Sequence, residues 1–149
     1  MTIPQKPEAE ALRIGMLAGL FTRADAVRWA DELIGELDKP CGQLIDLSTS
    51  EGLDGSSFSA LLASIPGEAD AALTRRILLG RVRLKLAQSG DLGAVLPSLA
   101  QLADLVPLTD EEKKVASRLT AGAPGDALKQ EATAFLASYE LKGETRLLG

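Results

Sequence analysis

The chain has 149 residues, 46% of them hydrophobic and 25% charged, with a formal net charge of −5. That length suits a single domain with a core that needs no disulfide or metal, and the acidic balance argues against general affinity for nucleic acid or an anionic membrane surface. With no histidine and a single cysteine, Cys41, His-based triads, His general bases, His- or Cys-rich metal centres and a disulfide framework are excluded.

Residues 1–6 read as a loose arm. No basic n-region precedes an apolar stretch, and the longest apolar run, 14–21, falls far short of the roughly 18 residues of a membrane span. A cytoplasmic protein is expected. Helix 1 starts near Pro7, where the missing N–H costs nothing and Glu8 and Glu10 face the positive end of the helix dipole. Ala11, Gly15 and Gly19 recur every four residues and leave a smooth strip suited to close packing within the domain. In helix 2, Thr22 and Asp25 form a variant capping box, followed by Val27, Ala30, Leu33, Ile34 and Leu37 at helical spacing. Pro40 opens a short helix 3 over 40–47, the polar, glycine-rich 48–57 reads as a loop, and helix 4 spans about 57–64 until Pro66 and Gly67 stop it.

Residues 68–89 read as one long central helix. Leu73, Ile77, Gly80, Leu84 and Ala87 fall on one side and Ala71, Leu78 and Val82 on the opposite one, as in a helix surrounded by others. The strict alternation over 81–86 would also suit a strand, but the flanks favour helix and no second strand is available to pair with it. Helix 6 covers 91–106, with Pro97 expected to kink it or mark a late start. Thr109 and Glu112 form a capping box for helix 7, and residues 122–125 make a turn. Helix 8 runs over 126–142 with Gly143 as its stop, and 144–149 is a short tail. The fold class is therefore all-α: about eight helices in successive antiparallel hairpins, as a compact helical bundle or a short α-solenoid-like stack around the long central helix.

Nothing points to an enzyme. No phosphate-binding glycine loop occurs, and neither catalytic residues, nor a cofactor, nor a metal site is expected. Cys41 lies at a helix start, where the dipole could activate its thiol, but without a histidine nearby it reads as a small space-filling residue. Two candidate sites remain. Asp25, Trp29, Glu32 and Glu36 line one side of helix 2, an acidic stripe interrupted by the only tryptophan, which could anchor a partner while the acids steer its basic surface. Against this, Trp29 could simply fold down beside Leu33 into the core. Arg75, Arg76, Arg81 and Arg83 on the central helix could instead hold a phosphate or other small ligand, although they spread around the axis in a way that suits internal salt bridges.

The first expectation is a small protein–protein interaction module that binds another protein through the exposed acidic face of helix 2, in concrete form an antitoxin-like or immunity-like protein. The alternative is a small-ligand or phosphate-binding regulator using the central arginines. Partner identity and oligomeric state are not legible.

Overall fold

The structure, a computed structural model, describes residues 5–122, 125–140 and 145–148, and every element among them is helical. The elements are α1 (Gln5–Leu17), α2 (Arg23–Glu36), α3 (Gly42–Ser48), α4 (Gly55–Ala63), α5 (Ala71–Ser89), α6 (Leu92–Leu105), α7 (Asp110–Ala121) and α8 (Asp126–Leu136), with 3₁₀ turns at Ala137–Tyr139 and Arg146–Leu148. The expected ends at 1–4, 141–144 and 149, including the stop at Gly143, and the inner part of the 122–125 turn lie outside the described residues.

Local polar chemistry fixes the helix starts. Thr22 N–H donates to Asp25 Oδ2 at 2.8 Å and Thr22 Oγ1 accepts from Asp25 N–H at 3.2 Å, the reciprocal box read from the sequence. Thr109 and Glu112 repeat it at 2.8 and 3.2 Å. α1 begins at Gln5 rather than near Pro7, α3 at Gly42 with Cys41 rather than Pro40 before it, and α8 gives way to a 3₁₀ turn after Leu136 instead of running on to 142. Two further starts differ because an aspartate captures the first free N–H groups. Asp54 accepts from Ser57 N–H at 2.7 Å, so α4 begins at Gly55, and Asp70 accepts from Leu73 N–H at 3.1 Å, so α5 begins at Ala71. At its other end α5 closes on Gly90, whose φ of +65° is the left-handed conformation that glycine adopts without strain. Pro97 does not delay α6, which starts five residues earlier at Leu92. Thr109→Ala should lower unfolding stability by about 1 kcal/mol, the usual value of a Thr N-cap, as read from urea denaturation.

The alternating segment 81–86 is helical, and α5 is the hub: it packs against α1, α6, α8 and both 3₁₀ turns. Ile77, Leu78, Leu79, Val82 and Leu86 on this helix are buried. Such burial around the axis requires neighbours on several sides. The neighbours are not all successive hairpins, however. α1 packs more extensively on α5 and α4 than on α2, whose main partner is α3. The result is a compact helical bundle. Of the expected strip, Ala11 is buried and Gly15 serves the packing directly, since a Cβ there would collide with the Phe21 ring and sit 3.2 Å from a Leu78 methyl; Gly19 instead lies beyond α1 in a turn, with φ of +75°.

Among the described residues, no helix is long and apolar enough to cross a membrane.

A cleft between α2 and α5 holding residues 145–148

The face of α2 that carries Asp25, Trp29, Glu32 and Glu36 is not a bare surface. Trp29 is 1% exposed, so the expectation of a solvent-facing tryptophan anchor is corrected: the indole lies on the same side of α2 as buried Ala26, Ala30 and Leu33. Its ring N–H donates to Glu8 Oε1 of α1 at 3.4 Å. A tryptophan can be buried when its one donor finds an acceptor, and here the acceptor is a carboxylate that is itself buried.

The other three residues of the stripe are each engaged by the chain itself. Asp25 belongs to the α2 capping box and lies 3.5 Å from Arg81 and 3.6 Å from Arg28. Burial pushes its carboxyl up, but the Thr22 hydrogen bonds and then the charges of Arg81 and Arg28 outweigh this and hold it below the usual aspartate value. Glu32 and Glu36 stand one helical turn apart, with their side chains 47% and 61% exposed. Both meet the guanidinium of Arg146: Nη1 lies 3.4 Å from Glu32 Oε2 and Nη2 donates to Glu36 Oε2 at 2.5 Å. That hydrogen bond lowers the Glu36 pKa and raises that of Arg146.

Arg146 arrives as part of a docked segment, Thr145 to Leu148. The Thr145 hydroxyl donates to Glu8 Oε2 and accepts the Leu147 N–H at 3.3 Å. Leu147 is buried, and its carbonyl accepts Arg81 Nη1 at 3.3 Å. Leu148 packs where α5 has Gly80. Arg81 completes the frame: its Nε donates to the Leu20 carbonyl at 3.0 Å, and its guanidinium lies 4.6 Å from the centre of the Phe21 ring. One arginine of α5 thus ties the α1–α2 link, the start of α2 and the 145–148 segment together. Beside the segment a cavity of 440 Å³ remains, lined by Phe21, Asp25, Arg28, Glu32, Arg81 and Arg146 among others. Its mixture of apolar wall and both signs of charge is suited to a side chain or small molecule that carries charge.

The central arginines separate rather than converge. Arg75 reaches Glu112 of α7, Arg81 reaches Asp25 of α2 and Arg83 reaches Glu140, at 3.1, 3.5 and 3.5 Å. Arg76 is exposed, and Arg81 and Arg83 line two different cavities. The expectation of one pocket built by these four is therefore corrected, for the reason that arginines spread around a helix face different neighbours. Arg75 Nε approaches Glu112 without hydrogen-bond alignment, so this is a charge contact. Burial pushes Glu112 up, but the Tyr139 hydroxyl, the Thr109 N–H and the Arg75 charge prevail and hold it below the usual glutamate value. Cys41 is the N-cap residue of α3 and is partly buried against the core, as a space-filling residue would be. Among the described residues, no group of three or more potential metal-ligating side chains assembles.

Sequence reasoning missed Glu8, Thr145 and Arg146 as members of this cleft. Glu8 carries a pH consequence. Burial raises its carboxyl pKa above 4.5, against the opposing hydrogen bonds from Thr145 and Trp29 and the charge of Arg146. A carboxyl raised in the folded state contributes most below its unfolded pKa, and its contribution falls as pH rises through the folded pKa. Glu8→Gln should therefore gain stability relative to wild type as pH rises from about 4 to about 7; parallel denaturant titrations across that range read the slope, and a difference that does not change with pH would contradict it.

Comparison with protein-family models, curated proteins and solved structures finds no match to this chain.

Proposed function

We propose that the chain is a protein–protein interaction module that takes a basic segment of another protein against the acidic face of α2. One observation supports the reading: Glu32 and Glu36 together hold one guanidinium, that of Arg146 in the same chain. Carboxylates one helical turn apart accept a planar, multi-donor arginine better than a lysine, because the fork can address both at once. Trp29 contributes from below, as a rigid buried floor. The concrete form of this reading is an antitoxin-like or immunity-like protein covering a basic toxin surface.

The test is an array of arginine-bearing peptides probed at low salt with wild type and with Glu32→Lys/Glu36→Lys, matched for helicity by circular dichroism. Wild type should bind a subset that the double variant loses, with affinity falling as salt rises. Equal binding by both proteins would contradict the reading.

A second reading, a phosphate- or small-ligand-binding regulator, is supported by the 440 Å³ cavity, where Arg81 is joined by Arg28 and Arg146 rather than by its neighbours on α5. It expects inorganic phosphate to raise the melting temperature of wild type but not of Arg28→Ala.

A further inference from the structure

The 145–148 segment is short, yet each of its residues meets a different feature of the cleft. The Thr145 hydroxyl reaches a buried carboxylate, Arg146 reaches two surface carboxylates, Leu147 is sunk into the core with its carbonyl held by Arg81, and Leu148 fills the space over Gly80. A segment that only covered the bundle would need its apolar residues buried. It would not need hydroxyl, guanidinium and main-chain groups each matched to a separate partner on α1, α2 and α5. The cleft also keeps 440 Å³ of open space beside Arg146 and Leu147, so the segment does not fill it.

Resting on the interaction reading above, we propose that the α2–α5 cleft is a docking site for a partner segment of the pattern hydroxyl residue, arginine, leucine, leucine, and that residues 145–148 are its resident occupant in the free protein. Partner binding is then an exchange. The external segment takes over the Glu8, Glu32, Glu36 and Arg81 contacts, and its apparent affinity is reduced by the fraction of molecules in which the cleft is already filled. The resident segment has the advantage of a high effective concentration, since it belongs to the same chain. An incoming partner overcomes this by also using the open space next to Arg146, where the side chain of Arg28 is 68% exposed.

The experiment uses the full chain and a fluorescein-labelled peptide of residues 144–149, read by fluorescence anisotropy. Arg146→Glu in the protein sets a carboxylate against Glu32 and Glu36 and expels the resident segment while leaving the other side of the cleft intact; Arg146→Gln does so more mildly, and circular dichroism checks both. The peptide should bind Arg146→Glu about tenfold or more tightly than wild type. Equal affinity for wild type and both Arg146 variants would overturn the resident-occupant proposal while leaving the acidic-face reading in place. Absence of binding to folded Arg146→Glu and Arg146→Gln, with arginine peptides also failing on the array, would overturn both. Wild type that sediments as a dimer and becomes a monomer on Arg146→Glu would assign the cleft to a second copy of the chain and overturn the partner assignment.

Discussion

Trp29→Ala is expected to lower the free energy of unfolding by about 3–5 kcal/mol, the range for removing a large aromatic from a core. Trp29 is among the largest fully buried side chains, so its loss opens a void that α1, α2 and the 145–148 segment can only partly close. The substitution also deprives Glu8 of the indole N–H, leaving a buried carboxylate with one hydrogen bond fewer. Trp29→Phe separates the two effects, keeping much of the volume while losing the donor, and its cost should be smaller. Urea denaturation of both variants reads the difference. An exposed aromatic would change stability by only about 0.5 kcal/mol, so the magnitude alone decides whether the indole lies inside or outside.

Gly80→Ala is expected to cost about 1–3 kcal/mol, although alanine is intrinsically the better helix former. A Cβ at this position would lie 2.7 Å from the Tyr139 carbonyl oxygen and 2.7 Å from a Leu148 methyl. The methyl can swing away, but the carbonyl belongs to the backbone of the 3₁₀ turn after α8, so that whole turn has to move. Gly35→Ala on α2 is the control, because a Cβ there meets nothing within 4 Å and the position is exposed. There the same change should stabilise by about 0.5–1 kcal/mol. Opposite signs at the two glycines, measured by thermal or urea unfolding, are the expected pattern. A stabilising Gly80→Ala would mean that the 3₁₀ turn at Ala137–Tyr139 and Leu148 do not press on α5 as described.

The features legible in the sequence were those encoded over three or four residues. The capping boxes at Thr22 and Thr109, the glycine stop after α5 and the many-sided burial of that helix all follow from local spacing, and the structure contains them. Asp54 and Asp70 obey the same rule and were legible in principle: each precedes a run of free N–H groups by the right interval, but neighbouring serines and a glutamate drew the expected starts elsewhere. The cleft was not legible, because its pairings cross the chain. Thr145 and Glu8 are 137 positions apart, and Arg146 is 110 from Glu36. No periodicity encodes such a contact. Trp29 shows how this misleads: charged neighbours at helical spacing suggested a surface stripe, whereas the indole is buried with its N–H on Glu8, 21 positions earlier in the chain. The arginines of α5 illustrate the reverse, since their spread around the axis already argued for separate carboxylate partners, and Glu112, Asp25 and Glu140 supply them.

The central claim, that the acidic face of α2 and the cleft beside it bind an arginine-bearing segment, is tested most directly by a ¹⁵N–¹H NMR titration of the 149-residue chain with the 144–149 peptide. The account predicts that backbone amides around Trp29, Glu32 and Glu36 on α2 and those of residues 145–148 shift together, and that Glu32→Lys/Glu36→Lys abolishes the changes. Shifts confined to another surface, such as the groove between α3 and α4 lined by Asp46, Leu53 and Leu61, or no shifts at millimolar peptide in both wild type and Arg146→Glu, would contradict it.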